Sequence, residues 1–476
     1  VEGILRPNGQ IAIIHSRLFY IGSSRGCWSC RLLMRDWRIK KTGRTTLVLF
    51  FLSIIKNKGM KKILFTAKLF FAATLAVMLG GCFKDSITKT YAIMRPVYKS
   101  RTEALAEIKS GPSQPLKSPG KIFLRGNYLF VNEVDKGVHV FDNSNPSSLR
   151  EAAFIAIPGN IDIGMKDHIL YADMYRDLVA LDISDPLQVK LLKTVRDVFA
   201  PRDFGVGMAE MGNDDMIVAG WVMKDTTVAI ESVENNWVCP NCITLDSYAG
   251  SANVGSPAPG ISGSMARFSI VNDYLYAIQS STLGVYHIAD PLNIEAKSAP
   301  WAGLGIETIY PFKNKLFIGS QTGMFIYGLN NPAAPQKEGS FFHASACDPV
   351  IADDAFAFVT LRTGNSCMSS FNELNVVNIE NIGLPQLVKA YPMTNPHGLA
   401  KDGNLLFICD GKDGLKIYNA SNVNDLQLIK HLTGMETYDV IAWNKKLILV
   451  AANGIYQYDY SNPQHIRLLS TVAVSH

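Results

Sequence analysis

Cysteines are the residues of this chain whose type and spacing most readily indicate chemistry. Cys239 and Cys242 have the spacing of half a zinc ribbon, but a ribbon needs a second pair and none lies near in sequence. The sequence therefore predicts a local disulfide between them and no metal site. Cys347 starts a predicted inner strand and Cys367 lies in the following hairpin loop, so we expect a second bridge there. Closing that loop of about 20 residues would contribute about 3 kcal/mol.

Other signatures of catalysis are weak. Residues 410–414, Asp-Gly-Lys-Asp-Gly, lack the alternating oxygen ligands and terminal Glu of an EF-hand, and a hairpin turn with glycine at positive φ explains them. The preceding Cys409 is predicted to be a buried thiol. The sequence contains no Gly-x-Ser-x-Gly elbow, no His-Glu-x-x-His and no Walker-type phosphate loop, and no cofactor is predicted. Carboxylates paired by folding stay open as a hypothesis.

Residues 60–81 have the three parts of a secretory signal. Residues 60–62 (Met-Lys-Lys) supply positive charge, an apolar run covers 69–79, and Leu-Gly-Gly at 79–81 precedes Cys82. Leu-Gly-Gly-Cys resembles the lipobox of bacterial lipoproteins, which implies cleavage before Cys82 and acylation of that cysteine. A transmembrane anchor is the alternative, but eleven apolar residues are short for a bilayer that needs about 20. We expect a lipid-anchored protein at the outer membrane or cell surface.

Charge is distributed unevenly along the chain. Residues 1–81 hold fourteen Lys and Arg against two acidic residues and carry +12, so the remainder carries −7 of the formal net charge of +5. Because the basic excess belongs to the leader, no nucleic-acid partner is predicted. Residues 1–59 are predicted to be upstream sequence translated by mistake, with a real extension as the alternative. Residues 82–119 are predicted to be a linker with a short helix at 101–109, and residues 120–476 to be the folded domain.

One phrase, an apolar run followed by a polar corner, recurs in the folded domain. The corners are VFDNSNP (140–146), ALDISDP (180–186), VYHIADP (285–291), IYGLNNP (326–332), VVNIEN (376–381), IYNASN (417–422) and QYDYSNP (457–463), with a weaker copy, AIESVEN, at 229–235. Most intervals between corners are 40 or 41 residues, a period that indicates a propeller or a solenoid.

Each unit also holds about four short apolar runs bounded by Gly, Asn and Asp, and no amphipathic segment of helix length. Such runs predict antiparallel strands joined by hairpins, and four-stranded units repeated radially make a β-propeller. We therefore predict an all-β fold, a β-propeller of about eight four-stranded blades, or seven if residues 204–262 form an excursion. A parallel β-helix is the alternative, although its coils are usually shorter than this period.

The cleanest corner, Leu-Asp-Ile-Ser-Asp-Pro at 181–186, resembles the LVIVD repeat of bacterial and archaeal surface proteins. The resemblance covers about residues 120–474, and the lipobox agrees with the exported members of that family. It implies a propeller-like surface protein without an assigned reaction. The third unit departs most from the pattern, which leaves the number of blades open.

Aligning the units places a polar residue at the start of every innermost strand. The positions are Lys121, Asp162, Arg267, Glu307, Asp348, His397 and Asp439, with Arg202 or Asp203 from the irregular third unit. In a propeller they would ring one mouth of the central channel, where several blades could hold a polar ligand. Charges of both signs could instead pair with one another. His287 takes the corner position that other units give to Asp, Asn or Glu, and is predicted to be hydrogen-bonded there.

These observations predict a binding or interaction module, with an unknown protein or polysaccharide as partner and the membrane reached through the N-terminal lipid. One alternative is a hydrolase or lyase that acts on glycans, and another is a structural subunit of an envelope assembly. An acidic cluster in a sugar-sized cleft would favour the enzyme. A flat face with exposed aromatic side chains would favour binding.

Overall fold

The computed structural model describes residues 88–200, 215–229, 266–279, 281–303, 305–342, 349–363 and 371–475. Within these residues the chain forms 31 strands and one short helix. The strands make seven antiparallel sheets, each from consecutive strands, and a separate two-stranded ribbon. No helix in these ranges is long and apolar enough to cross a bilayer.

The first half of the described chain contains the ribbon, the helix and three blades. In chain order the elements are β1 (Thr88–Ser100), α1 (Arg101–Ala106) and β2 (Lys109–Gly111), then blade 1 with β3 (Pro119–Arg125), β4 (Tyr128–Glu133), β5 (Gly137–Asp142) and β6 (Arg150–Ala156). Blade 2 follows with β7 (Ile163–Lys166), β8 (Ile169–Met174), β9 (Asp177–Asp182) and β10 (Lys190–Val195), and then the second ribbon strand β11 (Met216–Ala229). Blade 3 contains β12 (Phe268–Val271), β13 (Tyr274–Gln279), β14 (Thr282–His287) and β15 (Glu295–Ser298).

Four further blades complete the ring. Blade 4 contains β16 (Ile306–Phe312), β17 (Lys315–Ser320), β18 (Gly323–Gly328) and β19 (Gln336–Phe342), and blade 5 contains β20 (Val350–Ala352), β21 (Phe356–Leu361), β22 (Glu373–Asn378) and β23 (Gln386–Pro392). Blade 6 contains β24 (Leu399–Asp402), β25 (Leu405–Cys409), β26 (Leu415–Asn419) and β27 (Gln427–Leu432), and blade 7 contains β28 (Thr437–Trp443), β29 (Lys446–Ala451), β30 (Gly454–Asp459) and β31 (Arg467–Ala473). The first strand of each blade is innermost, and the inner strands contact one another in sequence until blade 7 meets β3.

Both faces of every blade are covered by its neighbours. Seven apolar clusters lie at the seven interfaces between blades. Within β8, Leu170 and Ala172 pack against blade 1, whereas Ile169 and Tyr171 pack against blade 3. Because successive side chains of a strand point to opposite faces, such a strand must be apolar at every position. This explains why the sequence shows continuous apolar runs instead of an alternating pattern.

The repeated corner forms the same turn in all seven blades. The last Asp or Asn of each corner accepts a hydrogen bond from the amide two residues further on; the acceptors are Asn145, Asp185, Asp290, Asn331, Asn381, Asn422 and Asn462. Short amide and carboxylate side chains favour this turn because they reach their own backbone. A backbone bond such as Ile183 N to His168 O, 2.8 Å, then ties each corner to the turn between the first two strands.

The seven-blade count replaces the prediction of about eight. The weaker copy at 229–235 begins at the last residue of β11 and otherwise lies outside the described residues. Strand β11 pairs along its length with β1, far away in sequence, and joins no blade. The inner strand of blade 2, β7, contacts the inner strand of blade 3, β12, directly. No blade therefore separates them, and the alternative of seven blades with an excursion is the correct one.

The helix α1 connects the ribbon to blade 2. It lies within the segment for which the sequence indicates a helix, and Ser100 with Glu103 forms a capping box at its start. The guanidinium of Arg101 is buried and bonds Asp177 Oδ1 at 2.7 Å and Asp197 Oδ1 at 2.9 Å. Two charge-assisted bonds therefore hold the base of the ribbon against the side of blade 2.

The described residues contain one of the cysteines discussed above. Cys409 is a buried free thiol, as the sequence predicts, and its burial raises its pKa well above the ordinary value. Cys82 and the two predicted disulfides, Cys239–Cys242 and Cys347–Cys367, lie outside the described residues.

We expect the seam between blades 7 and 1 to be a sensitive point of the ring. Leu129 is 0 % exposed in the cluster it shares with Ile448 and Val450, so Leu129→Ala should lower the free energy of unfolding by about 2–5 kcal/mol. Leu428 on the outermost strand of blade 6 is 51 % exposed, and Leu428→Ala should change it by about 0.5 kcal/mol or less. Urea denaturation measures both. Equal effects of the two substitutions would contradict closure through this cluster.

Candidate functional site

The predicted ring residues lie at the starts of the innermost strands, at the end of the ring that we call the upper face. The turns between the second and third strands of the blades share this face, and the opposite end is the lower face. Lys121, Asp162, Arg267, Glu307, His397 and Asp439 are described, whereas Asp348, Arg202 and Asp203 lie outside the described residues. Four of the six, Lys121, Asp162, His397 and Asp439, are buried.

On the side of blades 1 to 3 the ring charges bind one another. Lys121 Nζ lies 2.7 Å from Asp162 Oδ1. The other oxygen of Asp162 accepts the backbone amides of Arg267 at 2.5 Å and Phe268 at 3.2 Å. Arg267 Nη1 lies 3.0 Å from Asp173 Oδ2. A single carboxylate, that of Asp162, thus joins the inner strands of three consecutive blades.

Asp173, which ends the second strand of blade 2, completes this network. Its Oδ1 accepts the amides of Ile161 and Asp162 and the side-chain amide of Asn160, all at 2.8 Å. With these bonds both oxygens of Asp173 and both oxygens of Asp162 are engaged. Removing one partner of such a buried, hydrogen-bonded pair strongly destabilises a fold, because the other charge is left buried and uncompensated. The Lys121, Asp162 and Arg267 side of the mouth is therefore structural.

On the side of blades 4 to 6, amide side chains contact the ring residues Glu307 and His397. Gln321 Nε2 donates to Glu307 Oε1 at 3.1 Å, and burial raises the pKa of Glu307 despite that bond and the charge of Arg362. Burial, together with the charge of Arg362, lowers the pKa of His397 to about 3. His397 is therefore neutral at physiological pH. Its Nε2 lies 3.1 Å from Asn395 Nδ2, and its carbonyl accepts Thr360 Oγ1 at 2.8 Å.

Asp439 and the hairpin of residues 410–414 lie beside His397. A Cβ on Gly398 would lie 2.6 Å from Asp439 Oδ1, so only glycine allows the inner strands of blades 6 and 7 to approach here. Asp410 accepts the amides of Thr394 and Asn395, and glycines 411 and 414 have positive φ. The hairpin explanation of this segment is confirmed.

His287 behaves differently from the other corner residues. The corresponding Asp182 and Asp459 accept the amide two residues further on. The ring of His287 instead lies 5.0 Å from the ring of Tyr274, and Asp290 supplies the cap of that corner. His287 is on the lower side of blade 3, away from the mouth.

Sequence reasoning missed the aromatic residues of the upper face. Trp301 forms a bridge with Thr282, the first residue of the third strand of blade 3. Phe342 pairs with Gly323, the first residue of the third strand of blade 4. Phe371 lies just before β22, the third strand of blade 5. All three side chains are more than half exposed. They occupy three consecutive blades on the side of Glu307 and His397. Aromatic residues in apolar runs usually belong to the core. These three are exposed because of where the strands end, and that becomes clear only in the structure.

A family model for the LVIVD repeat matches residues 119–155, the segment of blade 1. The chain is thus a repeat β-propeller, and the resemblance noted in the sequence is confirmed for its first unit. No curated protein matches the chain.

Several solved structures align with the chain at low identity. Saccharomyces cerevisiae Sqt1 aligns with a TM-score of 0.46 and 10% identity over 78% of this chain and 88% of that chain. A functionally unknown protein from Desulfotomaculum acetoxidans DSM 771 aligns with a TM-score of 0.46 and 12% identity over 73% and 95% of the two chains. A protein from Lactobacillus plantarum aligns with a TM-score of 0.46 and 13% identity over 72% and 96%.

Burial of neutral His397 predicts a specific pH dependence of stability. Its folded pKa of about 3 lies below the ordinary 6.5, so between these values the unfolded chain binds more protons and stability rises with pH. Lowering the pH from 7 to 5 should cost about 2 kcal/mol through this residue. His397→Gln should remove that part of the loss in urea denaturation, and His465→Gln, at an exposed histidine, should not. An unchanged pH profile in His397→Gln would show that the imidazole titrates normally.

Proposed function

We propose that the chain is an exported, lipid-anchored propeller of the cell envelope whose upper face binds a polysaccharide. The observation that carries this proposal is the position of Trp301, Phe342 and Phe371 on the upper ends of consecutive blades. Exposed aromatic groups are costly to leave in water unless they serve an interaction. Sugar rings offer flat C–H faces to such side chains and hydroxyl groups to the polar residues beside them.

The arrangement favours an extended ligand. The aromatic residues lie on three blades, while Glu307, Gln321 and His397 supply acceptors and donors at the adjoining channel mouth. A polymer can contact several blades at once, so that weak contacts add along its length. The rigid ring holds these groups in place before the ligand arrives, which limits the entropy lost on binding.

The proposed location depends on the leader sequence. Leu-Gly-Gly-Cys at 79–82 precedes the ribbon strand β1, which starts at Thr88, six positions after Cys82. An acylated Cys82 would therefore tether the ribbon close to the membrane. Stable attachment needs two membrane signals, and the two or three chains of a bacterial lipoprotein supply them.

Replacing Cys82 should release the protein from the membrane. In cells, Cys82→Ala removes the acyl acceptor, so the product should be unprocessed or soluble, and its mass should lack the lipid. Membrane fractionation with mass spectrometry measures both. Cys409→Ala is the matched control, because that thiol is buried in the propeller and should not affect fractionation. Unchanged mass and fractionation of Cys82→Ala would exclude the anchor.

Removing aromatic groups from the upper face should weaken binding of a polysaccharide. In affinity electrophoresis with envelope polysaccharide, Trp301→Ala together with Phe342→Ala should reduce affinity about tenfold or more, as expected for aromatic anchors. Trp443→Ala is the control, because Trp443 is 58 % exposed, close to the 62 % of Trp301, but lies on a lower-face turn.

Three results of this comparison would count against the upper face as the glycan-binding surface. Equal loss in the upper-face variant and in Trp443→Ala would show non-specific retention. Retention by neither wild type nor variants would exclude a polysaccharide ligand. If the upper face captures a protein partner and the chain is not retained by polysaccharide, the ligand is a protein and the binding surface is still the upper face.

A further inference from the structure

Arg362 is a buried arginine without a carboxylate partner among the described residues. It directly follows β21 at the upper face of blade 5 and is 9 % exposed. Its Nε is buried and makes no hydrogen bond, and no ion pair to it is formed within the described part of the chain. Arginine is rarely buried unless it is paired. By comparison, the buried Arg101 bonds two aspartates.

The groups around Arg362 leave its charge largely uncompensated. Glu307 is the nearest influence of opposite sign, but it is bound to Gln321, and burial disfavours its charged form. His397 on the other side is neutral, and burial together with Arg362 keeps it so. Burial also lowers the pKa of Arg362, which is the direction expected for a cation that lacks sufficient compensation.

A second donor comes from the neighbouring blade 6, where the carbonyl of His397 accepts Thr360 Oγ1 at 2.8 Å, and Thr360 precedes Arg362 by two residues and so faces the same side of the blade. The side-chain amide of Asn395 lies 3.1 Å from His397 Nε2 and donates to it, so the proton of the neutral imidazole is on Nδ1. His397 thereby offers an N–H group beside Arg362. A planar fork of N–H donors with one further N–H donor matches the two oxygens of a carboxylate better than it matches a hydroxyl group.

We propose that Arg362, assisted by His397, binds the carboxylate of an acidic sugar, so that the ligand of the upper face is a uronate-containing polysaccharide. This inference rests on the proposed function and specifies its ligand. The aromatic residues of blades 3 to 5 contact the sugar rings, and Arg362 selects those that carry a carboxylate. Binding supplies a carboxylate to a buried cation that has no ion-pair partner among the described residues, which concentrates the gain in free energy at this one group.

Calorimetry with D-glucuronate and D-glucose as probes tests the site in the chain from residue 83 onward, which contains every described element. Wild type should bind glucuronate at least tenfold more tightly than glucose. Arg362→Met should lose about 30-fold in glucuronate affinity, because it removes the charge-assisted hydrogen bonds to the carboxylate. Arg467→Met is the control, since it removes the same charge from a side chain that is 73 % exposed on the outermost strand of blade 7.

Thermal unfolding without ligand separates a binding role from a structural one. Arg362→Met removes a buried charge that has no ion-pair partner among the described residues, so its midpoint should stay unchanged or rise. A midpoint lowered by several degrees would show that Arg362 holds the fold together and would overturn the proposal. Equal loss of glucuronate binding in Arg467→Met would attribute the binding to net charge and overturn it as well.

Two further outcomes separate this site from the function on which it rests. If Arg362→Met keeps full polysaccharide retention while the aromatic variant loses it, the upper face binds a neutral polymer and the carboxylate site is wrong. If wild type binds acetyl-dialanine but not glucuronate, the site takes a peptide carboxylate, and the sugar assignment is overturned.

Discussion

Each blade of this protein has two apolar faces, and the need to bury both is the constraint on which the rest depends. A single sheet covered on one side would leave half of its side chains in water, whereas in a closed ring of sheets each face is covered by a neighbouring blade. Blades 1 and 7 are each built from strands that are consecutive in sequence. The ring is therefore closed by side-chain contacts between these two blades and not by a strand shared between them. The cluster around Leu129 and Ile448 does so, helped by the bond from Ser470 Oγ to Pro146 O, 2.7 Å. The bond from Ser298 Oγ to Ala333 O, 2.7 Å, links blades 3 and 4 in the same manner, so the seam resembles an ordinary interface.

The architecture could be predicted because its repeated signals are local. An Asp or Asn that caps its own turn, as Asp185 does, works within two residues, so the sequence displays it directly in every blade. The blade number could not be predicted in the same way. The copy at 229–235 has the composition of a corner, but β11 finds its partner in β1, more than a hundred residues earlier, and such pairing has no local signal. Tertiary contact there overrides the repeat pattern.

The mouth was predictable in position but not in its chemistry. The period of the repeat places Lys121, Glu307 and His397 at the starts of inner strands, where the structure has them. Which charges neutralise each other depends on contacts across blades, such as that of Asp162 with the amide of Arg267, and a sequence pattern does not contain them. The sequence places the turn insertion that begins at Arg362 beside the mouth but assigns no role to Arg362 itself, because the second turn of a blade varies in length and has no fixed place in the repeat.

The two sides of the mouth show how a structure can support an unfavourable group. On the side of blades 1 to 3, Asp162 and Asp173 use all their oxygens to hold inner strands in register. That side contributes rigidity. On the opposite side, the buried guanidinium of Arg362 forms no ion pair within the described part of the chain, so its burial opposes folding, and the seven apolar interfaces must offset that cost. Folding alone would favour an apolar side chain of the same volume at the position of Arg362. The presence of this arginine at the mouth, despite its cost in stability, is therefore better explained by binding than by folding. The difference between the two sides, and not the presence of charge, therefore locates the functional part of the ring.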